Sequence, residues 1–156
     1  MRKSTIIKDL QGMLSRALPE VKYIDKDWGQ LYMENPPVGW PCILIDIERV
    51  DPKPLNDGNE KDTATVVLTV GNRRTNPSSA HAPRASKEAS CQTLDLTDDI
   101  HDQVQGYSAR REYSPLAVQS FDKLNDLPGG TEGYAMRYRT AYNVAPSLMA
   151  IQDENQ

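Results

Sequence analysis

Two stretches decide the fold: residues 42–48, Cys-Ile-Leu-Ile-Asp-Ile-Glu, and residues 63–70, Thr-Ala-Thr-Val-Val-Leu-Thr-Val. Both are rich in β-branched residues, and both alternate along the chain, which is typical of strands with one buried face. The predicted buried faces carry Ile43, Ile45 and Ile47 in the first strand, and Ala64, Val66, Leu68 and Val70 in the second. We expect the two strands to pair as an antiparallel hairpin across a long loop, residues 51–62.

The elements around this hairpin are predicted from hydrophobic periodicity and from Pro and Gly positions. They are an amphipathic helix over 3–18, a short strand over 21–25, a long helix over 85–107, a weaker strand over 116–124 and a closing strand over 134–144. The buried stripe of the long helix is predicted to be Ala89, Thr93, Leu96, Ile100 and Val104. This order predicts an α+β fold, with a mostly antiparallel sheet of about four strands and two main helices on one side. Residues 1–146 form one predicted domain, and 147–156 a flexible C-terminal tail.

Composition narrows the function classes. The 156 residues include 18 basic and 22 acidic side chains, so the net charge of −4 argues against general nucleic-acid binding. No apolar run approaches the ~20 residues that span a bilayer, and we expect no membrane partner. Lys8 and Asp9 interrupt the start of a signal-like segment, so a cytoplasmic site of synthesis and assembly is expected. Cys42 and Cys91 do not make a disulfide framework, and Cys42 is expected to be a buried free thiol.

The sequence offers little for catalysis. His81 lies in a Pro/Ser-rich loop and His101 on the long helix, and both are expected to be surface residues. Nucleophile-elbow, paired-histidine and CxxC motifs are not found in the sequence. Gly129 and Gly130 precede a strand, not a helix, so they do not form a phosphate-binding loop. We therefore expect a protein that is not an enzyme, without catalytic residues, cofactor or metal.

One constellation lies on the long helix. Its members, at i, i+3, i+4 and i+7, share a face opposite the buried stripe; they are Asp95, Asp98, Asp99 and Asp102. Such a face is commonly just solvated. It also suits contact with a basic protein partner, and a metal or acid/base site is the remaining interpretation.

Basic residues supply a possible counterpart to these aspartates. Residues 63–87 contain no acidic residue but do contain Arg73, Arg74, Arg84 and Lys87. The loop within this range is either simply solvated or docks on an acidic surface.

The closing strand has Tyr134, Tyr138 and Tyr142 on a predicted core face, and Arg137 and Arg139 on the opposite face, where they reach a partner or line a lumen. We treat these aspartates and arginines as a candidate oligomer or partner interface.

The order of elements resembles the tail terminator, or tail-completion, proteins of long-tailed bacteriophages. The likeness covers residues 3–146: the opening helix, the hairpin built on 42–48 and 63–70, the 85–107 helix, and the closing strand from Gly133. It implies a homo-hexameric ring, formed through sheet edges and loops, that caps the tail tube, ends its polymerisation and gives the head a docking surface. The implied partners are the tail tube protein and a head-completion or connector protein, with DNA only passing through the lumen. The implied location is the tail–head junction of the virion.

Three other functions stay open at this stage. The long 108–133 connection and the 71–84 loop also suit another head–tail connector or neck protein. A non-viral protein-binding adaptor is a further alternative, and it differs from a ring protein in its mass. A small hydrolase would use the aspartate face together with His101.

Overall fold

The computed structural model describes residues 1–74 and 79–146. Along the chain the elements are α1 (Lys3–Ala17), β1 (Tyr23–Lys26), a short 3-10 helix (Gln30–Tyr32), β2 (Cys42–Pro54), β3 (Glu60–Arg73), α2 (Arg84–Ser90), α3 (Gln92–Val104), β4 (Ala117–Lys123) and β5 (Thr131–Val144). The α+β class is confirmed. The predicted C-terminal tail, 147–156, lies outside the described residues.

The sheet has five strands in the order β1-β2-β3-β5-β4. It is mixed, because β1 runs parallel to β2 while the other three pairs are antiparallel. The mostly antiparallel character of the sheet is as predicted, but the described residues form five strands and three α-helices, where about four strands and two main helices were predicted. A four-residue strand such as β1 has too little sequence for its pairing direction to be predicted, and here the return through residues 27–41 sets that direction.

The β2–β3 hairpin is longer than its sequence indicates. Its ladder runs from Cys42 opposite Gly71 to Pro54 opposite Glu60, so the predicted loop over 51–62 shrinks to residues 55–59. Pairing with β5 explains the difference, because β5 accompanies β3 along all 14 of its residues. A strand held on both sides stays extended even where its sequence is polar.

The main core lies between one face of the sheet and the two helices α1 and α3. β3 contributes Ala64, Val66, Leu68 and Val70, as predicted, and all four are fully buried. The tyrosines of β5 lie on the same face, and Tyr138 is completely buried. From the helices the core receives Ile6, Ile7, Leu10 and Leu14 of α1, and Leu96, Ile100 and Val104 of α3.

The predicted 85–107 helix is two helices. The chain bends at Cys91, whose φ of −93° and ψ of −1° lie outside regular α-helix geometry. α3 carries the buried stripe, whereas α2 has no buried residue, and Ala89 is only partly buried. No α2 residue belongs to the hydrophobic core of the described residues, so apolar packing does not hold α2 in line with α3, which accounts for the break.

The opposite face of the sheet is partly covered at one end by two loops. Leu31, from the loop after β1, lies over Gly71, and Leu127, from the turn after β4, lies over Gly133. These two glycines are paired across β3 and β5. A Cβ at Gly133 would come within 2.6 Å of the Leu127 Cδ1. Because glycine has no side chain, the two loops can pack directly on the sheet at these positions. We call the part of this face that the loops leave uncovered the open face.

Asp9 holds the connection between α3 and β4 in place. Its carboxylate, on α1, accepts hydrogen bonds from Arg110 Nε (3.0 Å) and from the Tyr113 hydroxyl (2.9 Å). Tyr113 is buried, and burial together with the Asp9 carboxylate raises the pKa of its hydroxyl. This contact was not predictable from local sequence patterns, because its partners are 101 and 104 residues apart in the chain.

The thiols behave as their burial requires. Cys42 is fully buried, as predicted, and burial raises its pKa to about 12. Cys91, at the bend between α2 and α3, is exposed.

Replacing Asp9 tests whether its contacts stabilise the connection between α3 and β4. Asp9→Ala leaves the buried Tyr113 hydroxyl without its acceptor, and should lower the free energy of unfolding by about 2 kcal/mol. Urea unfolding followed by circular dichroism measures the change. The matched control is Asp98→Ala on the exposed face of α3, which should change stability by less than about 0.5 kcal/mol. Equal effects of the two substitutions would contradict the role given to Asp9.

Candidate assembly surfaces

The aspartate face of α3 is exposed. Asp95, Asp98, Asp99 and Asp102 all point away from the buried stripe, and no ion pair joins any of them within the described residues. The structure therefore brings these four carboxylates together on one surface. Among residues 1–74 and 79–146, no group of three or more His, Cys, Asp or Glu side chains is arranged to hold a metal ion.

The basic residues are more dispersed than the sequence indicates. Arg73 stacks over the Trp40 ring at 5.4 Å, and the Arg74 amide donates to the Gly130 carbonyl oxygen. Arg84 pairs with Glu88 one turn along α2, at 3.0 Å. The aspartates and the arginines therefore lie in separate elements of the chain.

Arg137 is held within the subunit. Its guanidinium binds Glu48 of β2 at 2.8 Å and Asp122 of β4 at 3.1 Å, so it ties three strands together across the open face. Hydrogen bonding to Arg137 lowers the pKa of Glu48. Arg139, two residues along the same strand, is exposed and lies near Asp51.

β4 forms one edge of the sheet and presents apolar side chains there. Val118 and Phe121 are 46% and 48% exposed, although both lie on the face that the helices cover elsewhere. Phe121 stacks on Tyr134, with ring centroids 5.2 Å apart. The Val118 amide donates to the Gln105 side chain, and no strand of the described chain pairs with the rest of this edge. An apolar, unpaired edge is a site for pairing with another chain.

The other side of the sheet is also open. β1 covers only Cys42–Ile45 of β2, so 46–54 has no strand beside it in the described part of the chain. Ile47 and Val50 on this stretch are only partly buried and pack against the main core. Pro52 and Pro54 lack amide hydrogens, which limits the length available for pairing to about residues 46–51.

A cavity of about 500 Å³ lies where the start of α1 meets the ends of β3 and β5. Two polar atoms on its wall are buried without a hydrogen-bond partner among the described residues: Asp62 Oδ1 and the Tyr142 hydroxyl. Hydrogen bonding to Asp62 raises the pKa of Glu60, and Lys3 opposes this shift. Burial, followed by the charge of Asp62, raises the pKa of Tyr142.

The two histidines differ. His81 is exposed, as predicted. The prediction for His101 is wrong, because its ring is partly buried and Nδ1 lies 2.8 Å from the hydroxyl of the fully buried Tyr138. Burial raises the pKa of Tyr138 to about 12, so this hydroxyl stays protonated at neutral pH.

The sequence analysis did not identify Val118, Phe121 and the free part of β2 as candidate interface residues. Their positions at the sheet edges follow only from the strand order.

Comparison with known proteins gives little further information. No protein-family model matches the chain, and no curated protein matches it. Among solved structures, the chain is similar to one described as "Virion of native gene transfer agent (GTA) particle". The identity is 12%, the TM-score is 0.46, and the alignment covers 86% of this chain and 84% of the other. Within residues 1–74 and 79–146, no helix has the length and apolar character to cross a membrane.

Asp62→Asn tests the carboxyl pair beside the cavity. The raised pKa of Glu60 means that its protonated form favours the fold, and that this contribution is lost as the pH rises through that pKa. Removing the Asp62 carboxyl group should therefore bring the pKa of Glu60 down towards its usual value. A carboxyl-carbon NMR titration measures this change. Asp51→Asn, opposite Thr63 on the other face, is the control and should leave Glu60 unchanged; an unchanged Glu60 in Asp62→Asn would contradict the coupling.

Proposed function

We propose that this chain is a structural virion protein that assembles with copies of itself into a ring at the end of a phage tail tube. The observation that carries the proposal is the pair of open sheet edges on opposite sides of the subunit. One is the apolar edge of β4, and the other is the free part of β2. Two different complementary edges produce head-to-tail contacts, and these close into rings when the rotation between neighbours allows it.

The two edges match in chemistry as well as in position. Val118 and Phe121 lie on the helix-covered side of β4, and Ile47 and Val50 lie on the same side of β2. If β4 of one copy pairs with β2 of the next, the helices stay on one side of a continuous sheet and the four side chains meet at the junction. Burying the exposed half of Phe121 contributes about 1 kcal/mol, and each new backbone hydrogen bond adds about as much.

Charge supplies a second contact in this proposal. The aspartate face lies on α3, whereas Arg73 ends β3 and Arg74 follows it, so a contact between the two groups would join neighbouring copies. In a ring these charged residues would determine the register between neighbouring subunits. They would not hold the ring together alone, because exposed ion pairs contribute less than about 1 kcal/mol each.

The proposed role of this ring is structural. One face of the ring would bind the end of the tail tube. The other face would not bind further tube subunits but would bind the head-completion protein. The open face, with Arg137 internally paired, would then face the lumen through which DNA passes. The solved structure described above also comes from a virion particle, but the proposal depends on the surfaces of this chain.

The edge contact is tested with Phe121→Glu. Light scattering over a range of concentrations, with negative-stain images, should show closed rings of about six subunits for the natural chain. Phe121→Glu should remain monomeric, because a carboxylate would be buried at the junction. The control is Leu94→Glu on α3, which is 42% exposed and away from both edges, and it should form rings normally. A natural chain that stays monomeric even when mixed with tail tubes would contradict the proposal and favour an adaptor.

The charge contact is tested separately. Arg73→Glu with Arg74→Glu should shift the ring–monomer equilibrium towards monomers, and the shift should weaken at high salt. An unchanged mass distribution at low salt would remove the charge contact from the proposal and leave the edge contact standing.

A further inference from the structure

The loop between β1 and β2 displays three large hydrophobic side chains close together. Trp28, Tyr32 and Met33 are 57%, 51% and 46% exposed. The described residues have eight exposed large hydrophobic side chains, and these three occupy only six consecutive positions. Trp and Tyr are the residues that most often dominate binding energy at protein interfaces, and Met is enriched there.

The loop is built to hold these side chains in place. Gln30, which is completely buried, accepts a hydrogen bond from the Trp28 amide and donates one to the Lys26 carbonyl oxygen. Asp27 accepts from the Gly29 amide, and Leu31 anchors the loop over the sheet. The exposed aromatic rings are therefore presented by an ordered backbone, which lowers the entropy lost on binding.

The surroundings of this surface are acidic. A pocket of about 280 Å³ beside Tyr32 is lined by Asp27, Asp46 and Glu48, with Arg137 as its one basic lining residue. Asp126 accepts a hydrogen bond from the Tyr32 hydroxyl at 3.3 Å. Arg137 is engaged by Glu48 and Asp122, and Lys26 pairs with Asp46 at 3.4 Å, so Asp27 and Asp126 leave the rim with excess negative charge. Such a rim repels nucleic-acid phosphates and anionic lipids, and attracts Lys and Arg side chains.

From this arrangement we infer that the 27–33 loop and its acidic pocket form a docking surface for a basic segment of a different protein. The apolar floor of the pocket, formed by Leu31, Val67 and Ala135, suits the aliphatic stem of a Lys or Arg whose charged end meets the carboxylates. The surface uses side chains that project from the open face, Asp46 and Glu48 of β2 among them, whereas the edge contact uses the backbone of β4 and of residues 46–51. The inference does not depend on ring formation.

The test uses a synthetic peptide of alternating lysine and leucine as the probe, with isothermal titration calorimetry on the full chain. Trp28→Ala with Tyr32→Ala should raise the Kd by about 30-fold, the loss expected for interface hot spots. Asp46→Asn with Asp126→Asn should also raise the Kd and flatten its dependence on salt. Both pairs lie on exposed or half-exposed sites, and an unchanged unfolding midpoint verifies that each variant is folded.

The matched control removes the same number of charges elsewhere. Asp98→Asn with Asp102→Asn, on the aspartate face of α3, should leave the Kd for the peptide unchanged. An equal loss in this control would show attraction to overall charge and overturn the inference. Unchanged affinity for the peptide in Trp28→Ala with Tyr32→Ala would also overturn the inference. Binding of duplex DNA or phosphatidylserine vesicles at the loop would do the same. Loss of self-association in Trp28→Ala with Tyr32→Ala would overturn it as well, because a second copy would then be the occupant.

Discussion

The pairing of β3 with a long strand on each side is the constraint on which the rest of the structure depends. β5 follows β3 along its whole length, and β2 follows it from Cys42 to Pro54. β3 is therefore central, and its alternation of apolar and polar residues decides which face of the sheet the helices cover. Because the apolar residues Ala64 to Val70 face α1 and α3, Thr65, Val67 and Thr69 must form the opposite face.

This arrangement also determines what remains uncovered. Short strands flank the long ones: β1 pairs with only four residues of β2, and β4 with the middle of β5. Backbone edges are therefore open on both sides of the subunit, with apolar residues beside them. Natural monomers usually protect such edges with charge, proline or covering loops. Here proline protects only the far end of β2, and Phe121 increases the tendency of β4 to associate.

The two faces of the sheet have different roles. The helix-covered face provides stability, while the opposite face carries Arg137 with its two carboxylate partners and the rigid loop that displays Trp28. Gly71 and Gly133 make that loop and the turn after β4 possible, since both pack directly on the backbone of the sheet. In this account self-association uses backbone edges, partner binding uses side chains above the open face, and residues 46–48 of β2 take part in both.

Local pattern in the sequence was enough to predict the α+β class, the hairpin strands, α1, and the buried stripe of α3 from Thr93 to Val104. Long-range pairing was not predictable in this way. The extension of β2 to Pro54, the parallel direction of β1 and the contact between Asp9 and Tyr113 all depend on residues far apart in the chain.

The candidate site divides in the same manner. The aspartate face of α3 followed directly from helical spacing. The sequence did not reveal that Glu48 and Asp122 would neutralise Arg137, or that Phe121 would lie on an edge, because both depend on the order of the strands.

The central claim is that copies of this chain join through β4 and the free part of β2. Amide hydrogen exchange, compared between dilute monomer and assembled protein, tests it most directly. We predict new protection in residues 117–123 and 46–51 on assembly, with residues 27–33 unchanged. Protection confined to other segments, with both edges exchanging as fast in the assembly as in the monomer, would contradict it.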